Sequence, residues 1–425
     1  MHVTRIQYPI GQGCFHAGFI RERNAVKQGD YAFHYVYDCG SDDRRALGEA
    51  IDNYKNEVSH VDALFVSHLD TDHVNGLDRL LGTVKVDTVY VPYINEVVLV
   101  LGLIQAELEG TLSASLIEAS MNPGNWFRSR GVEHVVGVEE SLDDGAPGTG
   151  GDDDPERPED PRARRKIDSE PGDSSDQGVT EMGSGVEVVA SGYRVPICDR
   201  PLDWTLVPHV DPAPRERLDR FSEALRKILG LSAEESVTSA RLADAMRQKR
   251  ERERLRECYE EIVPGGARRM HNRVSMSLYS GPAGNKAREW CYRILCGPDR
   301  LVDGLINLYP EPFWYCERGA VGWIGTGDAT LNVKKVRTAW KGTYQRYRDR
   351  VATLLLPHHG SRRSFDCDVL DFLPCLKVCA ASAGHPSRYG HPSPSVRLAA
   401  KIRRKAFLHV SLRPETALIE EIWTA

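Results

Sequence analysis

The chain has 425 residues and a net charge of −6 at pH 7; 41% of its residues are hydrophobic and 27% are charged, as in globular proteins with a sizeable core. The negative charge argues against a protein that coats nucleic acid by bulk electrostatics, although a local basic groove is compatible with it. No apolar run reaches the roughly 18 residues of a membrane span, and the N-terminus lacks the apolar core of a signal peptide. We therefore expect a soluble cytoplasmic protein without a membrane partner.

The first part of the chain predicts strands and turns with few helices. Strand-forming aromatic and β-branched residues are concentrated at residues 3–8, 14–20, 31–38, 84–91 and 132–138. Gly11-Gln12-Gly13 predicts a tight turn between the first two strands. Helices are predicted at residues 43–55 and 96–119.

The segment from Val66 to Gly76 gives the strongest indication of function. It places two histidines and two carboxylates within six residues, directly after a short apolar run that predicts a buried strand: His68, Asp70, Asp72 and His73. Grouping such side chains at a strand end costs free energy, because each loses hydration and like charges face each other. One or two bound divalent cations would remove that cost, so the segment predicts a metal site.

Two segments differ from the rest of a chain that we otherwise expect to form a single domain over residues 1–425. Residues 139–185 are acidic, rich in glycine and proline, and nearly free of aliphatic side chains. They predict a disordered or loosely packed insertion, because too little apolar area is available to offset ordering. Residues 213–265 predict an insertion of charged helices whose interleaved signs favour a solvent-facing surface with i,i+4 ion pairs.

Four later segments also place chemically competent side chains where a strand meets a loop, which is where α/β scaffolds usually hold catalytic groups. In chain order they carry His209, Asp328, the pair His358 and His359, and His391. Each of the single residues has an ordinary alternative, such as a turn-forming role for Asp328. The paired histidines are harder to explain in that way. The segment around residue 70 favours a functional role for all four of these segments, because a dinuclear site needs several further ligands.

These motifs resemble those of the metallo-β-lactamase-fold hydrolases, and most closely the branch typified by the hydrolase domain of the DNA-uptake protein ComEC. That branch has an HxDxDH metal motif, preceded by VGQGD and IDCG and followed by NNxSLVL, TGD, HHGS and YGHP. The counterparts here, in the same order, are Ile10–Cys14, Tyr37–Gly40, His68–His73, His271–Leu278, Thr326–Asp328, His358–Ser361 and Tyr389–Pro392. Cys14 departs from the aspartate of the branch.

The resemblance implies an α/β fold with the αββα four-layer sandwich of that family, and a site for two divalent metal ions, Zn²⁺ or Mn²⁺. It implies that the first metal is bound by His68, Asp70 and His209. It implies that the second is bound by Asp72, His73 and one of His358 and His359, with Asp328 bridging; His359 is the favoured ligand. The carboxylate of Asp70 in place of a histidine favours Mn²⁺ or Mg²⁺, whereas the remaining histidines favour zinc.

The leading functional hypothesis is hydrolysis of a phosphodiester, in a nucleic acid or a nucleotide, by a metal-activated water. Besides Asp72, the residues expected to act on the substrate are His358, Ser361 and His391, which would hydrogen-bond a phosphoryl group or protonate a leaving group. Hydrolysis of an ester, lactone, thioester or amide on the same fold is one alternative. The other is a metal-binding subunit of a defence system that contacts partner proteins through the insertions.

Overall fold

The computed structural model describes a large part of the chain. The described residues are 1–22, 31–93, 103–104, 107, 110, 113–141, 164–166, 186–195, 197, 203–212, 215–232, 235, 239–262, 274–284, 290–295, 302–303 and 317–424. They form two β-sheets that face each other, with helices on both outer surfaces.

The larger sheet, sheet A, contains eleven strands within the described residues. They are β1 (His2–Gln7), β2 (Gly13–Glu22), β3 (Tyr31–Ser41), β4 (His60–Phe65), β5 (Lys85–Tyr93), β6 (His134–Glu139), β7 (Arg164–Lys166), β8 (Glu187–Val189), β11 (Trp290–Leu295), β13 (Glu317–Arg318) and β18 (Leu418–Thr424). Their order is β13-β11-β18-β1-β2-β3-β4-β5-β6-β8-β7. The strands β3, β4, β5, β6 and β8 run parallel, and the others pair antiparallel.

Sheet B contains seven strands within the described part of the chain. They are β9 (Trp204–Val210), β10 (Met276–Pro282), β12 (Val302–Asp303), β14 (Gly322–Gly325), β15 (Val351–Leu355), β16 (Val378–Ser382) and β17 (Ala406–Val410). Their order is β12-β17-β16-β15-β14-β10-β9, and the run from β14 to β17 is parallel. Each sheet therefore has a parallel half whose strands end at a common edge.

The helices connect these strands. They are α1 (Arg44–Glu57), α2 (Thr71–Val74), α3 (Leu77–Leu81), α4 (Ala114–Met121), α5 (Pro123–Arg128), α6 (Arg215–Ile228), α7 (Ser239–Arg247), α8 (Lys249–Ile262), α9 (Lys334–Tyr344), α10 (Asp368–Phe372) and α11 (Pro394–Ile402). The first of them shows why such a segment is helical. The Asp43 carboxylate caps α1 by accepting the backbone N–H groups of Arg45 and Ala46, and Leu47, Ile51 and Tyr54 form its buried face.

Three buried clusters define the layers. One lies between the sheets and includes Tyr37, Leu278 and Trp323. A second lies between sheet A and α1 and α3, and a third lies between sheet B and α9, α10 and α11. The αββα sandwich predicted from the sequence is thus confirmed, and so is the α/β class.

A buried ion pair between neighbouring strands of sheet A connects that sheet to sheet B through further hydrogen bonds. Arg5 Nε lies 2.9 Å from Glu420 Oε2, and both side chains are almost completely inaccessible. The guanidinium also donates to the carbonyls of Ser280 and Val321, and Glu420 accepts the hydroxyl of Thr353 on sheet B. Hydrogen bonds therefore compensate the desolvation of both charges.

The structure of the two insertions differs in part from what the sequence predicted. Most of residues 139–185 lies outside the described residues, but Arg164–Lys166 forms β7 rather than disordered chain, because it pairs antiparallel with β8. Helices α6, α7 and α8 occupy the second insertion. The sequence predicted that they face solvent, but each has a buried side. Leu225, Met246 and Leu255 join the core between the sheets, since each helix has an apolar side. The domain boundaries themselves stay predictions.

Most of the predicted 96–119 helix also lies outside the described residues; its last residues are described and belong to α4. Among the helices that the structure describes, none has the length and apolar character needed to cross a bilayer.

Candidate metal centre

The ends of parallel strands from both sheets meet at one edge of the sandwich. His68 follows β4 of sheet A, and α2 next to it carries Asp72 and His73. Asp328 follows β14 of sheet B, and the pair His358 and His359 follows β15. The sheets face each other, so residues nearly 300 positions apart in sequence come into contact at this edge.

Glycines allow the backbone of α2 to lie directly on the strands. A Cβ atom at Gly13, whose φ is +135°, would lie 2.6 Å from the Asp72 carbonyl oxygen. A Cβ at Gly40 would lie 2.4 Å from the carbonyl carbon of His73. The GQG turn and the DCG strand end thus leave the room that the helix carrying the ligands requires.

Asp328 lies between two groups of nitrogen and oxygen donors. Its Oδ2 is 3.8 Å from Nε2 of His68 and 3.2 Å from Nδ1 of His358. Asp70 Oδ2 lies 3.6 Å from the same His68 nitrogen. His68, Asp70, Asp328 and His358 therefore form the first donor group.

The other oxygen of Asp328 faces the second donor group. Its Oδ1 is 3.3 Å from Nε2 of His73 and 3.7 Å from Nε2 of His359. His359 Nε2 is also 3.1 Å from Asp72 Oδ2. Asp72, His73 and His359 bring their ligand atoms within 4.8 Å of one another, as do His68, His73 and Asp328.

Three histidines, His68, His73 and His359, direct their Nε2 atoms at this centre. His359 Nδ1 donates to the Ser382 carbonyl, and His68 Nδ1 lies 2.9 Å from the Ser67 hydroxyl, which itself donates to Asp38. A proton on Nδ1 leaves the Nε2 lone pair available. Within the described residues, the buried Nε2 atoms of His68, His73 and His359 form no hydrogen bond of acceptable geometry. Buried polar nitrogens rarely lack a partner in folded proteins. A divalent cation bound between these three nitrogens would supply one.

The electrostatics of the second group also fit a cation. Burial disfavours charge on His73, but the carboxylates of Asp38, Asp72 and Asp328 outweigh it and raise its pKa well above the usual range. For Asp72, burial again opposes charge, yet His73 and His359 lower its pKa to about 2. Without metal, protons on histidine balance the carboxylates; a bound cation takes their place.

Asp38 is the site residue that the sequence analysis did not single out. Its buried carboxylate accepts from Ser67 N and Ser67 Oγ, each at 2.6 Å, and lies 2.8 Å from His73 Nδ1. Its φ of +58° is left-handed, a conformation that aspartate tolerates better than most residues. The motif Tyr37–Gly40 contains this aspartate and could have drawn attention to it. Its orientation toward His73 follows only from the three-dimensional fold.

The loop that carries His358 and His359 is held in an unusual conformation. Both residues have positive φ, 48° and 57°, and so does Gly360. The Gly360 carbonyl accepts the Ser393 N–H, and a Cβ at Gly360 would meet Pro392 at 2.8 Å. Strained backbone of this kind is concentrated at functional sites. The loop after β16 therefore supports the loop after β15.

The predicted substrate-side residues lie beside the centre to different degrees. The His391 ring is 5.4 Å from that of His358 and 6.3 Å from that of His359. Burial and then the neighbouring histidines lower the pKa of His391 to about 4, so it is uncharged at neutral pH. Ser361 is buried; its N–H donates to the His358 carbonyl and its Oγ accepts the Arg363 N–H. Its contacts hold the loop, and its catalytic role stays a prediction.

His209 does not lie where it was predicted. Its Nδ1 is 2.9 Å from the Thr343 hydroxyl on α9, and its Nε2 is 3.5 Å from Asp211 Oδ1. Side chains alternate along a strand, and Val207, two residues earlier, packs in the outer cluster with α9. His209 therefore faces the outer layer, and His358 occupies the first donor group instead.

A third group of donors lies at the opposite end of the same strands. His60, Asp62 and Asp87 are half-buried, and His60 Nε2 lies 2.8 Å from Asp87 Oδ2. Lys85 neutralises the same carboxylate from 3.3 Å. Ion pairing accounts for these contacts.

A comparison with protein-family models gives one match, to the metallo-beta-lactamase superfamily over residues 27–181. The matched span includes His68 to His73, while Asp328 and the histidine pair lie beyond it. No curated protein matches the chain significantly.

Proposed function

Because the chain contains a metallo-beta-lactamase superfamily domain, a class made up mostly of metal-dependent hydrolases, we propose that it hydrolyses phosphodiesters in a nucleic acid or a nucleotide. The observation that carries the proposal is the position of Asp328. One of its oxygens faces the donor group of His68, and the other faces that of His73. A carboxylate placed in this way suits a pair of divalent cations. With histidine and carboxylate ligands on offer, Zn²⁺ and Mn²⁺ are the metals we propose.

Two bound cations would supply an acidified water and would neutralise charge on the attacked phosphoryl oxygens. The chain's own residues do the rest. Asp38 and Ser67 fix the orientation of His68 and His73, and Ser382 fixes that of His359. His391, uncharged and adjacent to His358, offers an N–H to a phosphoryl oxygen or to the leaving group.

Basic side chains beside the centre favour an anionic substrate over an ester or lactone. Arg362 and Arg363 directly follow the His358–Ser361 loop and are exposed. Within the described residues neither has an ion-pair partner. Arg388, on the neighbouring loop, is 72% exposed. Arginine is well suited to phosphate groups, so a chain that is acidic overall has a local cationic rim here.

The order of the GQG, HxDxDH, TGD, HHGS and YGHP motifs supports placement of the chain near the ComEC branch. That placement is part of the proposal. It is consistent with a nucleic-acid substrate, and it leaves the choice among DNA, RNA and nucleotides to experiment.

The test is hydrolysis of bis(p-nitrophenyl) phosphate, single- and double-stranded DNA, RNA and cyclic dinucleotides with Mn²⁺ or Zn²⁺. The protein should be compared with Asp72→Ala/His73→Ala. His60→Ala/Asp87→Ala is the matched control, because it removes the same two residue types at the opposite end of the strands. We expect activity in the wild type and the control and none in the site variant. Equal activity in all three proteins, or turnover of acyl esters alone, contradicts the proposal.

A further inference from the structure

The loop after β16 carries an aromatic and a basic side chain at the edge of the candidate centre. Tyr389 is 41% exposed, an unusual fraction for a large aromatic residue. The Arg388 guanidinium carbon lies 4.6 Å from the centre of the Tyr389 ring, so the planar cation covers one side of it. We call these two side chains the Arg388–Tyr389 platform.

A row of rings connects the platform to the donors. The Tyr389 ring lies 6.0 Å from that of His391, and the His391 ring lies 6.3 Å from that of His359. The loop is ordered by local hydrogen bonds, since Ser387 Oγ accepts the N–H groups of Tyr389 and His391. The platform is therefore held a fixed and short distance from the place where a phosphodiester would bind, a distance that one or two nucleotides cover.

The charge on the platform is anchored as well. Arg388 reaches Asp42 Oδ2 at 3.3 Å and also contacts the Tyr389 hydroxyl. Asp42 is exposed, and the ion pair reduces the repulsion that its carboxylate would exert on an approaching phosphate. The rim of the site at this point offers flat, weakly hydrated surfaces rather than an isolated cation.

We propose that the Arg388–Tyr389 platform stacks a nucleobase next to the phosphodiester bound at the centre, and so makes the protein prefer base-bearing, single-stranded substrates. This inference rests on the proposed function. Aromatic rings and guanidinium planes are the surfaces on which unpaired bases stack, and such stacking is tolerant of sequence. A duplex hides its bases from a surface platform, whereas a single strand exposes them.

The experiment compares a fluorescein-labelled hexathymidylate with a hexamer of the same backbone that carries abasic tetrahydrofuran units. Binding is measured by fluorescence anisotropy with phosphorothioate forms of both hexamers, which slow turnover and leave the metal ligands intact, and cleavage is measured with the phosphodiester forms. The substitutions are Tyr389→Ala and Tyr389→Phe. Leu398→Ala, which truncates an exposed apolar side chain on α11, is the matched control.

Tyr389→Ala should weaken binding of hexathymidylate about 10-fold or more, because a stacked base contributes on that scale, and should leave the abasic hexamer unaffected. Tyr389→Phe should behave like Tyr389, since it keeps the ring and loses only the hydroxyl. Leu398→Ala should bind both oligomers as its parent does. An equal effect of Tyr389→Ala on the two oligomers, or no effect on either, overturns the platform while leaving the phosphodiesterase standing. A wild type that cleaves no phosphodiester overturns the proposed function and the platform with it.

Discussion

The Nδ1 atom of His73 lies 2.8 Å from Oδ2 of Asp38, a carboxylate with no solvent exposure. The pair joins the end of β3 to helix α2, so the geometry of the candidate centre depends on a residue that does not face it. A carboxylate behind a histidine fixes its tautomer and increases its basicity as a ligand.

The first prediction concerns this pair. Asp38→Asn keeps a side chain that tolerates the left-handed backbone but removes the negative charge behind His73. We expect metal affinity to fall roughly 10- to 100-fold, as for other partners of metal-binding histidines. Competition with a chromophoric chelator measures it. Asp43→Asn, at the nearby cap of α1, should keep wild-type affinity, and an unchanged affinity in Asp38→Asn would show that Asp38 does not support the ligand.

The second prediction concerns the contact between β3 and α2. Gly40→Ala would place a methyl group 2.4 Å from the His73 carbonyl carbon and 2.5 Å from its nitrogen. Backbone cannot yield as a flexible side chain does, so we expect a loss of about 1–3 kcal/mol in the free energy of unfolding, together with weaker metal binding. Urea denaturation provides the measurement. Gly342→Ala in α9 has open space at its Cβ and should be neutral or slightly stabilising; similar stability for the two variants would contradict the close approach.

The third prediction concerns the buried ion pair of Arg5 and Glu420 on neighbouring strands of sheet A. Arg5→Met leaves the buried Glu420 carboxylate without its cation, although Tyr292 and Thr353 still donate to it. We expect a loss of about 3–5 kcal/mol in the free energy of unfolding. The double variant Arg5→Met/Glu420→Leu should recover part of that loss, because it removes the unpaired charge. If the double variant loses as much stability as Arg5→Met and Glu420→Leu lose together when measured singly, the two residues do not interact.

The fourth prediction is a pH dependence of stability. His16 is buried against Trp323, with ring centres 4.0 Å apart, and burial followed by the charge of Arg5 lowers its pKa well below 6.5. The unfolded chain therefore binds a proton below about pH 6.5 that the folded chain does not. The contribution of neutral His16 is complete above that pH and is lost as pH falls, by at most about 1.4 kcal/mol per pH unit.

His16→Phe keeps the ring and removes the titrating group. Its free energy of unfolding should decline less than that of the wild type between pH 7 and pH 5. Chemical denaturation at several pH values tests this, and parallel curves for the two proteins would contradict it.

The early strands, and the segment that brings His68, Asp70, Asp72 and His73 together, could be recognised from the sequence because their determinants are local. Alternation and β-branched residues marked the early strands, and His68 to His73 lie within one short segment. Gly13 and Gly40 could be recognised as turn and strand-end glycines from the sequence. The close approach of α2 that they permit is seen only in the structure.

The rest depended on how the sheets pack. His209 lies near a strand end, as the residues of the centre do, but its side chain is on the outer face of sheet B and contacts α9. Which face of β9 packs on α9 is determined by how the layers pack. His358 was expected beside the substrate, yet its left-handed backbone turns Nδ1 toward Asp328. Neither a sheet order nor a strained φ is encoded in the spacing of residue types.

The central claim is that Asp328 lies between two metal ions. The most direct measurement is the metal content of the purified protein, by mass spectrometry after reconstitution with Mn²⁺ or Zn²⁺, for the wild type and for Asp328→Ala. The account predicts two equivalents per chain in the wild type and a loss of at least one of them in the variant. A folded wild type that binds no divalent metal, or an Asp328→Ala protein with an unchanged complement, would contradict it.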